Sequence, residues 1–180
     1  MKMLMGCVNR MMDMFLPDYV FNKIWDISEE DIKGMGVKFL LLDIDNTLTE
    51  HNGKTPRVEA LKWLKKLKEV GIDAAIVSNG RAKRVKEFAG VLGLQYEYSS
   101  RKPLRVGFKN IVERLGWPKS ETAIIGDQIY TDVLGGNAFG IKTILVCPIE
   151  VERRLFLRLK RILEKPFLKR AKRRGAVFRL

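Results

Sequence analysis

The sequence has little histidine or cysteine. It contains one histidine, His51, and two cysteines, Cys7 and Cys147, which lie far apart in apolar surroundings. A zinc site built from Cys and His ligands is therefore excluded, and the two thiols are predicted to be reduced and packed in a reducing compartment. No apolar run reaches the roughly 18 residues that a membrane span requires. The Met-rich stretch of residues 1–15 is broken by polar residues, so we expect no secretory signal there.

Acidic residues are scarce at the end of the chain. The 180 residues carry a net charge of +13, and from Glu150 to Leu180 twelve Lys or Arg stand against three Glu. We expect residues 1–149 to form one domain with an N-terminal extension, and residues 150–180 to form a basic amphipathic helix or tail of the same domain. The excess of positive charge predicts an anionic partner, either a membrane surface or nucleic acid. No obligate protein partner is evident.

Short apolar runs alternate with helical patterns along the chain. Runs without polar alternation are typical of strands buried on both faces, and we expect such strands at residues 37–42, 73–77, 95–98, 122–125 and 142–146. The stretches between them have helical spacing, including a helix opened by Pro56, and several end at a glycine. This order predicts an α/β, Rossmann-like, three-layer sandwich with a mostly parallel central sheet.

Polar residues follow the predicted strands where each one stops. Asp43 and Asp45 come after the first strand and, because side chains alternate along a strand, point to the same side. Ser78 and Asn79 follow the second strand, Asp127 follows the fourth, and Lys102 precedes a helix. Each alone fits a turn, a helix cap or a surface charge. Together they are hard to explain by turn chemistry, and open α/β sheets bind their ligands at this edge.

These residue types suit the transfer of a phosphoryl group. The reaction needs a nucleophile in line, positive charge near the phosphate oxygens and a proton for the leaving oxygen. Asp43 can attack phosphorus, and Asp45 can handle the proton. Ser78 and Lys102 can donate to the phosphate oxygens. The carboxylates of Asp43 and Asp127, with a backbone carbonyl, are ligands that suit Mg²⁺.

Four ordered segments resemble the motifs of the haloacid-dehalogenase (HAD) superfamily of phosphatases. They are Asp43-x-Asp45-Asn46-Thr47, Ser78-Asn79, Lys102-Pro103 and Gly126-Asp127-x4-Asp132. The resemblance implies Asp43 as the nucleophile and Asp45 as the acid and base. It also implies phosphate binding by Ser78, Asn79 and Lys102. Mg²⁺ would be held by Asp43, the Asp45 carbonyl and Asp127, with Asp132 supporting the metal waters or Lys102.

Many members of that superfamily carry a cap domain inserted after the first or second motif. Here eight residues separate Thr47 from Pro56 and 22 separate Asn79 from Lys102, so neither gap can hold a domain. Further segments resemble the capless IIIA subfamily, which includes phosphatidylglycerophosphate phosphatases. These segments are Leu16-Pro17-Asp18-Tyr19, Asp26-Ile27-Ser28, Gly36-Val37-Lys38 and Gly126-Asp127-Gln128-x-Tyr130-Thr131-Asp132. This resemblance implies a phospholipid head group as substrate and a cytoplasmic protein that is peripheral on the inner face of the membrane.

Alternatives remain open at this point. The same chemistry could act on a nucleic-acid end, a phosphoprotein or another large substrate, with the basic tail following a phosphate backbone. A signalling receiver domain, which distributes its acidic residues differently, and a purely structural nucleic-acid-binding role are less favoured. In the tail, a helix would place Val151, Leu155, Phe156, Leu159, Ile162 and Leu163 on one side and most cations on the other. That stripe could lie on a membrane or pack on the sheet.

Overall fold

Seven parallel strands form the central sheet in the computed structural model of the chain, which describes residues 11–150 and 155–180 and, within the last helix, side chains from residue 161 onward. The strands are β1 (Tyr19–Phe21), β2 (Phe39–Leu42), β3 (Asp73–Val77), β4 (Gln95–Glu97), β5 (Thr122–Gly126), β6 (Lys142–Val146) and β7 (Val177–Arg179). Their order in the sheet is β4-β3-β2-β5-β6-β1-β7. Strand β2 therefore lies between β3 and β5, in register with both.

Helices connect the strands. They are α1 (Glu29–Gly34), α2 (Val58–Glu69), α3 (Ala82–Leu92), α4 (Arg105–Leu115), α5 (Leu134–Phe139) and α6 (Leu155–Arg173). One 3₁₀ turn covers Ile24–Asp26 and another covers Lys119–Glu121, and a π-helical turn, Ile129–Val133, leads into α5. Ser28 caps α1 by accepting a hydrogen bond from the backbone N–H of Asp31, as N-cap serines do.

Successive residues of β2 face two separate cores. Leu40 and Leu42 belong to a cluster with side chains of α1, α2 and α3, whereas Leu41 belongs to a cluster with side chains of α4 and α5. All three leucines are fully buried. This alternation is the pleat of a strand with helices on both faces, so the predicted α/β three-layer fold is confirmed. The two connections that could hold a cap contain only a short turn-rich segment and the pair α3–β4.

Two parts of the sequence-based description are wrong. Strands β1 and β7 were not predicted, because each is three residues long and the apolar run is too short to stand out. Helix α2 begins at Val58, with Pro56 in the preceding turn and Arg57 at the N-cap position. The buried face of α2 is Ala60, Trp63 and Leu67, and the Trp63 indole donates to the Ile27 carbonyl at 2.7 Å.

The C-terminal helix α6 packs on the sheet by a face other than the predicted apolar stripe. Phe167 and Leu168 contact a cluster built from β1, β6 and the π-helical turn, and Ala171 is buried. Ile162 and Leu163 point outward and are 56% and 58% exposed. The other stripe residues, and the Met-rich residues 1–10 with Cys7, lie outside the described residues or side chains. Among the described residues, no helix combines the length and apolarity needed to cross a bilayer.

Candidate active site

The predicted polar residues meet at the carboxyl edge of three adjacent strands. Asp43 follows β2, Ser78 follows β3 and Asp127 follows β5. The ladder between β2 and β5 continues one step further, because the Asp43 N–H donates to the Ile125 carbonyl at 3.0 Å. Parallel pairing therefore brings residues that are more than 80 positions apart in the chain to one edge of the sheet.

Lys102 lies at the centre of the acidic residues. Its ammonium donates to Asp43 Oδ1 at 2.6 Å and to Asp132 Oδ1 at 2.7 Å, and its side chain is 2% exposed. Burial alone would lower the pKa of Lys102, but Asp132 and Asp43 outweigh burial and raise the pKa above its ordinary value. Lys102 is therefore a fixed positive charge, held next to the predicted nucleophile.

The Asn79 side chain holds the loop that carries Lys102. Its Oδ1 accepts from the Lys102 N–H at 2.8 Å and from the Ser100 hydroxyl at 3.0 Å, and its Nδ2 donates to the Lys102 carbonyl at 3.1 Å. Ser78 is buried, and its Oγ accepts from the Gly80 N–H at 3.1 Å. The hydroxyl proton of Ser78 can therefore be given to a ligand, while the amide of Asn79 positions Lys102. Phosphate binding by these two residues stays a prediction.

Three carboxylates form an acid cluster, which is Asp43, Asp127 and Asp132. One oxygen from each lies within 4.8 Å of the others. Burial raises the pKa of Asp43 to about 7, although Lys102 opposes the shift. Burial also raises the pKa of Asp127 well above its ordinary value, with Arg161 opposing the shift. Both carboxyls are thus in an environment that disfavours their negative charge.

The acid cluster fits a hard divalent cation. Asp127 Oδ1 is buried and has no hydrogen-bond partner among the described residues, so within this part of the chain the atom is open to a ligand. Carboxylate oxygens are the donors that Mg²⁺ prefers, and a cation would offset the cost of burying the cluster. The Asp132 carboxylate is bound by Lys102 and by the Gln128 N–H, which donates to Asp132 Oδ2 at 3.2 Å.

Asp45 is not a member of the acid cluster, although its negative charge contributes to the raised pKa of Asp43. Arg84 grips it with two parallel hydrogen bonds, Nη1 to Oδ2 and Nη2 to Oδ1, each 2.8 Å long. The Asn52 N–H also donates to Asp45 Oδ1, at 2.6 Å. The carboxylate of Asp45 is therefore bound by donors from α3 and from the turn at Asn52. Its predicted metal contact is through the backbone carbonyl, which this geometry leaves as a prediction.

Three site residues were missed by sequence reasoning. Arg84 lies on α3 and binds Asp45, whereas Arg161 on α6 donates to both the carboxylate and the carbonyl of Asp127. Glu164, one turn further along α6, accepts from the Ile129 N–H at 3.0 Å and pairs with Arg161 at 3.1 Å. Nothing in a basic helical stretch tells which cation turns inward. The Arg-x-x-Glu spacing of residues 161 and 164 was the available signal, because both fall on one helix face.

An open cleft of about 610 Å³ is lined by Asp43, Asp45 and Lys102, together with Ser78 and Asn79. Asp43 is the member of the acid cluster that lines it. Its rim combines polar and cationic residues, which are His51, Asn52, Arg81, Arg84, Gln128 and Thr131. The cleft therefore suits a small anionic group attached to a larger molecule.

Gly126 should be intolerant of a side chain, because a Cβ there would lie 2.3 Å from Asp132 Cγ. We expect Gly126→Ala to push Asp132 off Lys102, to cost about 2–4 kcal/mol of unfolding free energy and to lower kcat at least tenfold. Urea denaturation and phosphate-release kinetics measure both effects. The control is Gly90→Ala in α3, where nothing lies within 4 Å and a gain of about 0.5–1 kcal/mol is expected. Equal stability of the two variants would contradict the close packing of Asp132.

Comparisons with known proteins agree with this geometry. Residues 99–147 match the HAD-hydrolase-like family. The chain is 38% identical over 163 residues to the probable phosphatase YqeG of Bacillus subtilis. The alignment covers 91% of this chain and 95% of that protein. It is 28% identical over 173 residues to phosphatidylglycerophosphate phosphatase 1 of Arabidopsis thaliana, covering 89% of this chain and 49% of that protein.

A solved structure supports the fold. The cobalt-bound deoxy-D-mannose-octulosonate 8-phosphate phosphatase of Haemophilus influenzae superposes with a TM-score of 0.52 at 15% identity, over 77% of this chain and 91% of that one. At this identity the likeness concerns the fold alone. Similarity along nearly the whole length of YqeG, together with the ordered polar residues at one sheet edge, identifies the lineage. The chain belongs to the HAD superfamily and, within it, to the phosphatases.

Proposed function

We propose that the protein is a Mg²⁺-dependent phosphomonoesterase that works through an aspartyl-phosphate on Asp43 and releases phosphate from phosphatidylglycerophosphate to leave phosphatidylglycerol. The observation that carries the chemistry is the Lys102 ammonium, buried between Asp43 and Asp132 and beside the acid cluster. A carboxylate next to a fixed cation at the end of a central strand is placed to attack phosphorus.

In the first step Asp43 attacks phosphorus, and the bond from phosphorus to the leaving oxygen breaks. The Ser78 hydroxyl, the Lys102 ammonium and the Asn79 backbone N–H donate to the phosphate oxygens. The Asn79 side chain does not, because it is bound to the loop that carries Lys102. Asp45 gives a proton to the leaving oxygen, so the alcohol departs neutral. In the second step Asp45 accepts a proton from water, whose oxygen attacks phosphorus and restores the Asp43 carboxylate.

Asp43, Asp127 and the Asp45 carbonyl would hold Mg²⁺, with Asp132 fixing Lys102. Bound Mg²⁺ would neutralise the acid cluster and the phosphate oxygens. Arg161 keeps the Asp127 carboxylate oriented from the side of α6. The protein thus supplies the nucleophile, the proton carrier and two fixed cations, which are Lys102 at the phosphate and Arg161 at the metal ligand.

The substrate class follows from the open cleft and from α6. A site without a cap can take a phosphate that projects from a large or surface-bound molecule. The outward side of α6 carries exposed apolar residues, Ile162, Leu163 and Pro166, next to exposed cations, Lys165, Lys169 and Arg173. This combination is typical of helices that lie on anionic bilayers. The Arabidopsis relative named as a phosphatidylglycerophosphate phosphatase supports the lipid substrate. We further propose a cytoplasmic enzyme that is peripheral on the inner face of the membrane, where the basic face of α6 would meet anionic lipids.

The function is tested by phosphate release from a panel of substrates, with Asp43→Asn as the blank. The panel holds phosphatidylglycerophosphate in vesicles, its deacylated head group, phosphorylated oligonucleotides and a phosphopeptide. We expect Mg²⁺-dependent release, with the highest kcat/KM for the lipid. A higher value for oligonucleotide ends or for the phosphopeptide would replace the lipid by that substrate class. Release that is the same in Asp43→Asn would reject the chemistry.

Binding to anionic vesicles should depend on the outward face of α6. We expect Ile162→Glu with Leu163→Glu to weaken binding at least tenfold, because both apolar side chains and local positive charge are lost. Co-sedimentation with vesicles containing phosphatidylglycerol measures the effect. The matched control is Val58→Glu with Val91→Glu, two residues of similar exposure, 60% and 56%, on other helices. Equal losses in the two double variants would show a charge effect without a docking face.

Mg²⁺ affinity should fall as the pH decreases below about 7. The metal-free protein keeps a proton on Asp43 up to its raised pKa of about 7, and binding must displace that proton. One displaced proton predicts a loss of about tenfold in affinity per pH unit, and more where Asp127 also binds a proton. Isothermal titration from pH 5.5 to 8 in buffers of different ionisation enthalpy measures affinity and proton release. Affinity that does not change across this range would contradict the burial of Asp43.

A further inference from the structure

Asp45 is held in a way that conflicts with its proposed task. Both of its oxygens accept from the Arg84 guanidinium, and Oδ1 also accepts from the Asn52 N–H. A general acid must direct a proton on one oxygen at the leaving group, whereas both oxygens of Asp45 are occupied by the guanidinium donors. Arg84 must therefore release at least one oxygen of Asp45 during the reaction.

Arg84 has capacity for another ligand. Its Nη2 also donates to the Gly53 carbonyl at 3.2 Å, but its Nε is buried and has no hydrogen-bond partner among the described residues. The side chain is 26% exposed and lines the cleft. A guanidinium offers five donors in a planar arrangement that matches two oxygens of a phosphate as well as two of a carboxylate. Arg84 can thus exchange one anion for another without leaving the cleft.

The position of Arg84 identifies which part of a substrate it would meet. Asp45 faces the leaving group, because it protonates the leaving oxygen in the proposed reaction. Arg84 contacts Asp45 from the rim, and Arg81, exposed at the start of the same helix, lines the same wall. In the proposed reaction Lys102, which donates to Asp43, binds the scissile phosphate. The rim therefore carries two further cations, Arg81 and Arg84.

We propose that Arg84, with Arg81, forms a second anion site that binds a phosphate group on the leaving alcohol and thereby releases Asp45 for proton transfer. The substrates that fit are phosphomonoesters whose alcohol carries a second phosphate a few carbons away. This inference rests on the proposed function and deepens it, since the leaving group of phosphatidylglycerophosphate carries a phosphodiester at the other end of its glycerol. A soluble bisphosphate offers the same chemistry.

The test compares substrates with and without the second phosphate. Glycerophosphoglycerophosphate, which is the deacylated head group, carries the diester, and glycerol 3-phosphate lacks it. We expect the wild-type protein to prefer the diester-bearing substrate about 10- to 100-fold in kcat/KM. Arg84→Gln should abolish most of this preference, which is read as the ratio of kcat/KM for the two substrates and so does not depend on the basal rate of the variant. Arg84→Lys should recover part of it, because an ammonium keeps the charge but not the fork.

A matched control removes an equal charge from the same helix. Lys83→Gln alters an exposed cation of α3 that does not line the cleft, and it should keep the full preference. Equal loss on both substrates in Arg84→Gln would overturn the proposal and leave Arg84 as a structural clamp on Asp45. A comparable loss of preference in Lys83→Gln would assign the effect to net charge and overturn it too.

A binding measurement separates this inference from the proposed function. Glycerophosphoglycerol, which has the diester but no monoester, should bind to the Asp43→Asn protein and lose at least tenfold in affinity when Arg84→Gln is added. Binding with this dependence, together with no phosphate release from any substrate by the wild-type protein, would support the anion site and reject the phosphatase. Absent or unchanged binding would overturn the anion site.

A final comparison distinguishes the two sources of the second phosphate. Arg84→Gln is expected to lower kcat/KM by the same factor for phosphatidylglycerophosphate in vesicles and for its deacylated head group, since the site binds the diester that both contain. A loss confined to vesicles would mean that Arg84 contacts the phosphates of neighbouring lipids, which would overturn a site for the substrate's own diester.

Discussion

Replacing Asp43 by Asn should lower the rate of phosphate release at least about 10³-fold and leave the protein folded. The nucleophilic oxygen is lost, while the amide keeps the shape of the side chain and can still accept from Lys102. Lys102 also keeps its second partner, Asp132, at 2.7 Å. The measurement is single-turnover phosphate release in saturating Mg²⁺, with the level of trapped phosphoenzyme as a second readout.

The same variant should be at least as stable as the wild-type protein without metal. Burial raises the folded-state pKa of Asp43 from its ordinary value of 3.8 to about 7. Ionising this carboxyl therefore costs stability as the pH rises through that window, because the folded state holds the proton more tightly. An amide does not ionise, so the advantage of Asp43→Asn should grow from about pH 4 to pH 7 and then level off. Thermal unfolding in EDTA across this range measures it.

Phosphate release and thermal unfolding of Asp43→Asn each have an outcome that would contradict Asp43 as the nucleophile. Activity within tenfold of wild type in Asp43→Asn would mean that another group attacks phosphorus. Activity lost together with a fall in Tm would mean that the carboxylate is needed for folding, and the kinetic result would then say nothing about nucleophilic attack. A suitable comparison is Asp73→Asn, an exposed carboxylate at the start of β3, which should change neither rate nor stability.

The central strands and the groups that follow them could be predicted because one physical cause governs both. Strands such as β2 and β5 are buried on both faces, so their sequences are apolar throughout, and the chain turns polar where the sheet ends. Parallel pairing then brings Asp43, Ser78 and Asp127 to one edge. Order along the chain therefore carried information about proximity in space.

The remaining features depend on tertiary contacts that a sequence pattern does not record. Strand β7 is three residues long and forms only because β1 offers a free edge, and it lies beyond a basic helix. Arg84 and Arg161 sit in stretches where several cations look equivalent, and packing alone decides which of them turns to a carboxylate. Packing likewise decides between the two interpretations of the apolar stripe of α6, since Ile162 and Leu163 face outward while Glu164 is buried against Arg161. Contact of this stripe with a membrane stays a prediction.

Replacing Lys102 by Met should have the largest effect on stability. Met matches the length of the side chain but removes the ammonium that Asp43 and Asp132 share at 2.6 and 2.7 Å. Two buried carboxylates are then left without their cation, which costs about 3–5 kcal/mol of unfolding free energy at pH 8. Phosphate release should fall at least about 10³-fold, because the charge next to the attacked phosphate is also gone.

Urea denaturation with and without Mg²⁺ separates the two roles of Lys102. Adding Asp132→Asn to Lys102→Met removes one of the stranded carboxylates and should recover about half of the lost stability, but no activity, since neither change restores a cation at the phosphate. Lys109→Met, at an exposed lysine paired with Glu113 at 3.9 Å, should cost under about 0.5 kcal/mol. Equal costs for Lys102→Met and Lys109→Met would refute the buried bridge. If Asp132→Asn recovered stability and activity together, the ammonium would be a structural counter-ion of the carboxylates, and the phosphate oxygens would have to find their positive charge elsewhere.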